Sequence, residues 1–140
     1  MAMQRVFTAL TVTTLVAAIA VMTARLEAQR DTSSVKQVML TMTIPASDAI
    51  FSAASDPPKN AQAWLKLRTD VQTLVESGNL LMTRGLAKDN VAWMEMARAL
   101  VTQAQAALKA IDAKSGDALA QASDDVYATC ETCHARYLEQ

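Results

Sequence analysis

The two cysteines and the single histidine of this 140-residue chain stand together near its C-terminal end, as Cys130-Glu131-Thr132-Cys133-His134. Two thiols and an imidazole at this spacing match the attachment sequence for haem c. In that chemistry the thiols add to the two haem vinyl groups and the histidine binds iron. On a helix Cys130 and Cys133 lie one turn apart and His134 follows Cys130 by four residues, so all three side chains point toward one face. Three other uses of the same residues compete with this one. A thioredoxin-like dithiol needs a strand–helix–strand setting, and no alternating strand pattern is present. A structural zinc site needs four ligands, whereas the chain has three Cys and His residues, crowded into five positions. A plain disulfide between Cys130 and Cys133 would leave His134 as an ordinary surface residue. Covalent haem is the expectation.

The N-terminal end agrees with it. Residues 1–28 start with a basic stretch ending at Arg5 and continue through the uncharged, apolar Val6–Met22, with small residues after it. That is the three-part form of a secretory signal peptide. Cleavage is expected after Ala20, Ala24 or Ala28. The rival reading is an uncleaved anchor, since the apolar run reaches the lower length limit for a membrane span. Either outcome delivers residues 29–140 to the outer side of a bacterial inner membrane, the periplasm, with membrane contact only through the N-terminal segment if it is retained.

Residues 29–140 are enough for one domain and too few for two. Removing residues 1–28 takes away Arg5, Arg25 and Glu27, so 11 basic and 13 acidic side chains remain. The charges are spread along the chain, and no basic stripe argues for nucleic acid.

Helical periodicity runs throughout this part, and the fold class expected is all-α. A first helix is predicted from Ser33 or Ser34 to Ala54, with Val35, Val38, Met39, Met42, Ala46, Ala49, Ile50 and Ala53 on one face. Pro45 inside it removes one hydrogen bond, frees the carbonyl of Thr41 and predicts a kink. Asp56-Pro57-Pro58 stops it. A second helix is predicted from Asn60 to Ser77, with Gly78 as its left-handed cap. Asn79–Lys88 is ambiguous, with Leu80, Leu81 and Met82 needing somewhere to pack. A third helix starts at Asp89 or Asn90, either of which can cap it, and carries Val91, Met94, Leu100, Val101, Ala104, Leu108 and Ile111. It ends at Lys114-Ser115-Gly116. The fourth puts Leu119, Ala122, Val126, Cys130, Cys133 and Tyr137 on one stripe. Short connections make successive helices neighbours, so an antiparallel four-helix bundle is the expected architecture, with the haem near its C-terminal end. The core is rich in alanine and poor in aromatics, and a haem between the helices would supply apolar bulk.

Four such helices ending in Cys-x-x-Cys-His resemble the class II cytochromes c, which comprise cytochrome c′ and the low-spin cytochrome c-556 type. The resemblance covers residues 33–140. Tyr137 matches an aromatic common three residues after the family's histidine, and Trp93 resembles a tryptophan often found early in the third helix. Leu138 stands where the family often has a basic residue, and Arg136 lies two positions before it.

The resemblance implies that the iron's sixth position is filled from the first helix. There a methionine gives the low-spin members, and an apolar residue leaves the gas-binding members five-coordinate. Val35-Lys36-Gln37-Val38-Met39 resembles that segment with Met39 at the ligand position, and Met42, one turn on, is the reserve. Without the resemblance, both methionines read as core filler. The function expected is a monohaem c-type cytochrome, not an enzyme, that carries electrons outside the cytoplasm to redox partner proteins, with iron held by His134 and Met39. The alternative is a five-coordinate cytochrome c′ that binds NO or CO. A peroxidase would need polar distal groups that the first helix does not offer. A homodimer is implied by the resemblance alone.

Overall fold

The computed structural model describes residues 35–83 and 85–138. The chain divides into two units after Ser34, and the described residues belong to the second, Val35–Gln140. The segment expected to be a signal or anchor, residues 1–28, lies outside the described residues. Among the described residues there are four long helices and no strand. We label them α1 (Val35–Ser55), α2 (Ala61–Leu81), α3 (Ala92–Asp112) and α4 (Gly116–Tyr137).

Cap chemistry accounts for most of the ends. Asn60 stands before α2 in extended backbone, and its Oδ1 accepts from the Ala63 N–H at 2.9 Å. Ser115 does the same for α4, its Oγ accepting from the Ala118 N–H at 3.2 Å. Asp89 caps α3 from outside: Oδ1 accepts from the N–H groups of Val91 and Trp93, both at 3.0 Å. Each bond satisfies a donor that the first turn of a helix leaves without a partner.

The ends of α2 and α3 differ from expectation. Gly78 does not cap α2. The helix runs on to Leu81, so the start of the ambiguous Asn79–Lys88 stretch is helix. Gly78 is buried within it and faces α3, where an added Cβ would come within 2.7 Å of Val101 Cγ2. The glycine is there for close approach between helices rather than for a turn. At the end of α3 the left-handed residue is Lys114, with φ at 51°, and Gly116 already belongs to α4. Lys114 N–H bonds the Ile111 carbonyl and Ser115 N–H the Ala110 carbonyl, both at 3.0 Å. This is the Schellman pairing with lysine at the position usually held by glycine.

Each helix packs on the next, and α4 returns against α1. Met39, Leu81, Trp93 and Cys130 meet at one end, while Gly116 sits against Pro57 at the other. Ile50, Val71, Leu74, Leu119 and Val126 are fully or almost fully buried between them. Phe51 and Tyr127 add an edge-to-face ring contact, 6.1 Å between centroids, from α1 to α4. By length and composition α1 is apolar enough to cross a membrane, with a mean hydropathy of 1.2. Its Ala46, Ile50 and Ala53 are buried in the core, while Leu40 and Ile44 are exposed.

Lys114 carries a cost that glycine would not. A non-glycine residue in the left-handed region is disfavoured by about 1–2 kcal/mol, offset in part by the extra freedom glycine has when unfolded. Lys114→Gly should therefore stabilise the protein by about 0.5–1 kcal/mol. Urea unfolding would check this as a higher midpoint at unchanged slope.

Candidate functional site

The last two turns of α4 carry Cys130, Cys133 and His134. Both cysteines are half-buried free thiols, and Cys130 packs against the core, while His134 is largely exposed. Burial pushes the Cys130 thiol above its ordinary value, opposed in smaller part by the polar Thr129 hydroxyl beside it; burial pushes Cys133 up as well, helped by the neighbouring Cys130. The pair also sits at the negative end of the helix dipole. A reactive dithiol needs the reverse, a lowered thiol at a helix N-terminus or beside a cation. Among the described residues no group of three or more His, Cys, Asp and Glu side chains could hold a metal ion. A haem iron held by one histidine and one methionine needs no such group.

These three residues form one wall of a cleft at the end of the molecule where α1 begins and α4 ends. Thr129 completes the α4 wall. Met39 and Thr43 line the cleft from α1, Leu81 from the end of α2, and Trp93, Met96, Ala97 and Leu100 from α3. The cleft's interior volume is about 40 Å³, and about 440 Å³ when the open space at its mouth is counted. Its lining is apolar apart from the two threonines and His134. Both hydroxyls donate to backbone carbonyls, Thr129 to Val126 at 2.7 Å and Thr43 to Val38 at 3.5 Å. The donor set fits haem c: two thiols and an imidazole on one wall, a thioether on another, and hydrocarbon between.

All four residues expected at the site, Met39, Cys130, Cys133 and His134, line this one cleft, and Met42 does not. Met96 does, and sequence reasoning gives it no role. Of the stripe expected on α3, Leu100, Ala104 and Ile111 are buried and Met94 and Leu108 pack against the core, while Val91 is 67% exposed; Trp93 and Ala97 are buried as well. The spacing of Trp93, Ala97 and Leu100, with Met96 beside them, is the signal that could have found it. Of the cations that could serve haem propionates, Lys59 pairs with Asp56 and Arg68 with Asp112, both at the opposite end. Lys88 and Arg98 flank the start of α3, and Arg84 lies outside the described residues.

A polar network holds the cleft together. The carboxylate of Asp89, whose Oδ1 caps α3, accepts the Tyr137 hydroxyl on Oδ2. The Tyr137 ring meets Trp93 edge to face at 4.9 Å, and the Arg136 guanidinium lies 5.4 Å from its centroid. Trp93 Nε1 donates to the Leu81 carbonyl at 2.6 Å. The last turn of α4, the first turn of α3 and the end of α2 are thereby joined through two aromatic rings and one carboxylate.

No protein-family model, no curated protein and no solved structure matches this chain.

The bond from Tyr137, then those from Trp93 and Val91, hold the Asp89 carboxyl at about 2, against 3.8 ordinarily. The same bond pushes Tyr137 above its usual value. Because the folded carboxyl is the stronger acid, its contribution to stability is complete above pH 3.8 and is lost as pH falls through about 2. Tyr137→Phe keeps the ring against Trp93 and removes the leading cause. It should move the Asp89 titration up toward 3.8 and shrink the acid-dependent loss of stability. Carboxyl chemical shifts followed by NMR against pH would show the move; an Asp89 titration left where it was would deny the hydroxyl that role.

Proposed function

We propose that this protein is a monohaem c-type cytochrome that carries electrons outside the cytoplasm, its four helices forming an antiparallel bundle around haem c. The observation that carries the reading is the meeting of Cys130, Cys133 and His134 with Met39 in one apolar cleft. The alternation of helix ends, with the starts of α1 and α3 beside the ends of α2 and α4, supports the bundle. The resemblance to class II cytochromes c remains part of the proposal.

When bound, haem c supplies an iron that cycles between ferric and ferrous states. Cys130 and Cys133 would hold the ring through thioether bonds, and His134 and Met39 would ligate the iron. A methionine sulfur favours the ferrous state and raises the potential relative to a second histidine, of which the chain has none. Leu81, Trp93, Met96 and Leu100 would keep water from the ring, which also favours the state of lower charge. The α1 wall brings no acid, base or amide into the cleft, and Thr43 directs its hydroxyl to a carbonyl. That wall suits a carrier rather than a peroxidase. It also defines the second reading: without the Met39 sulfur the distal side is hydrocarbon, and the site would bind NO or CO at five-coordinate iron. The apolar N-terminal segment, read as a secretory signal, supports a periplasmic location, where redox partner proteins would meet the protein.

The matured protein should show covalent haem that survives denaturation and acid–acetone extraction. Its ferric spectrum should carry the weak long-wavelength band of methionine-bound iron, and CO should not shift the ferrous spectrum. A haem that extracts freely would sink the proposal, and a CO-shifted ferrous spectrum would select the gas-binding reading.

Met39→Leu removes the sulfur that α1 brings to the cleft at nearly constant volume. The expected result is a high-spin ferric spectrum and a CO-sensitive ferrous one, with stability changed by less than about 1.5 kcal/mol. A spectrum identical to wild type would take Met39 off the iron.

A further inference from the structure

The stretch of α1 that carries Met39 is not α-helical. Met39–Thr43 forms a π turn, in which the Ile44 N–H bonds the Met39 carbonyl five residues back. Its cause stands next to it. Pro45 has no N–H to give the Thr41 carbonyl, and in an unbroken α-helix its ring would press against that carbonyl; a wider turn moves the two apart. Three hydroxyls brace the irregular stretch by bonding its carbonyls. Thr41 donates to Gln37 at 2.8 Å, Thr43 to Val38 at 3.5 Å, and Ser47 to Thr43 and Ile44 at 2.8 and 3.1 Å.

The wide turn carries one residue more than an α turn, and the burial pattern records it. Buried positions run Ala53, Ile50, Ala46, Thr43 at the usual three and four, and the next is Val38, five back. An α-helix advances about 100° per residue, so removing the extra residue rotates everything N-terminal to it by one position. Met39 would then take the place of Val38, and Leu40 would take the place Met39 holds in the cleft. In the present arrangement Leu40 is 56% exposed, large for a leucine beside an apolar slot.

We propose that the π turn selects the side chain that faces the haem: with the turn in place the distal residue is Met39, and with the turn relaxed to α-helix it is Leu40. Pro45 is the positioning residue, acting through Met39. A thioether donates an electron pair to iron and an isobutyl group has none to give. The same helix in its two registers therefore builds two kinds of site, a six-coordinate carrier and an open position for a diatomic ligand. The inference rests on the haem reading, but the register itself does not.

The test uses the full-length matured protein in four forms: wild type, Pro45→Ala, Leu40→Met, and the double variant. A crystal structure of Pro45→Ala reads the hydrogen-bond ladder whether or not haem is attached. It should show the restored N–H at position 45 bonded to the Thr41 carbonyl, with Leu40 in the cleft. Spectra should then show Pro45→Ala losing the methionine band and gaining a CO-shifted ferrous form. Leu40→Met alone should match wild type, because position 40 faces outward. Adding Leu40→Met to Pro45→Ala should restore the methionine band and abolish the CO shift, which general loosening of the helix would not do. A π turn that persists in Pro45→Ala, or a double variant that still binds CO, overturns the inference. Wild-type protein without covalent haem would fail the haem reading, and the crystal structure would still decide the register.

Discussion

The last turn of a helix is a poor place to hold ligating side chains, because its final carbonyls have no intrahelical partners and the turn tends to fray. Everything proposed for this chain depends on the last turns of α4 staying where they are. The bond from Tyr137 to Asp89 is the contact that does this. Asp89 is itself fixed by the N–H groups of Val91 and Trp93 at the start of α3, where a negative charge is favoured by the helix dipole. The end of α4 has the opposite polarity, and its last turn carries His134 and Arg136. One carboxylate thus satisfies the start of α3 and tethers the end of α4. Trp93 then passes the tether on to Leu81 at the end of α2.

The small residues of the core set where the helices close and where they stand apart. Ala104 and Ala107 are fully buried on α3, and Gly78 lets Val101 approach α2. Further toward the start of α3 the side chains are larger, with Leu100, Met96 and Trp93 facing Leu81 and Met39, and there the walls part into the slot. The cleft is lined mostly by apolar side chains, and the hydroxyls of Thr43 and Thr129 are satisfied by backbone carbonyls.

How much of this the residues disclose in one dimension depends on how local each interaction is. Cys130, Cys133 and His134 disclose themselves because their chemistry is a matter of spacing within one turn. The caps at Asn60 and Asp89 are legible for the same reason, since a cap bonds to its own helix three or four residues on. Gly78 misleads because a glycine serves equally as a cap or as a contact, and its partner, Val101, lies on another helix. Lys114 cannot be read as a left-handed residue, since nothing about lysine favours that conformation. On α3 the buried face takes in Trp93, Ala97, Ala107 and Ala110 beyond the expected stripe, because alanines leave the pattern with little contrast. Tyr137 and Asp89 are 48 residues apart, and no periodicity connects them.

The first helix shows the limit most sharply. Met39 and Met42 are three apart, and at a constant 3.6 residues per turn both would lie on the same face. Only Met39 lines the cleft, because the π turn begins at Met39 and takes the following residues round in a wider circle. Pro45 is a visible sign of irregularity and by itself predicts a kink; the chain answers the missing N–H by widening the turn before it. The widened turn thereby separates two chemically identical side chains, one lining the cleft and one outside it. Which α1 side chain lines the cleft follows from backbone hydrogen-bond register as much as from residue type, and a stripe drawn at fixed period cannot carry that information.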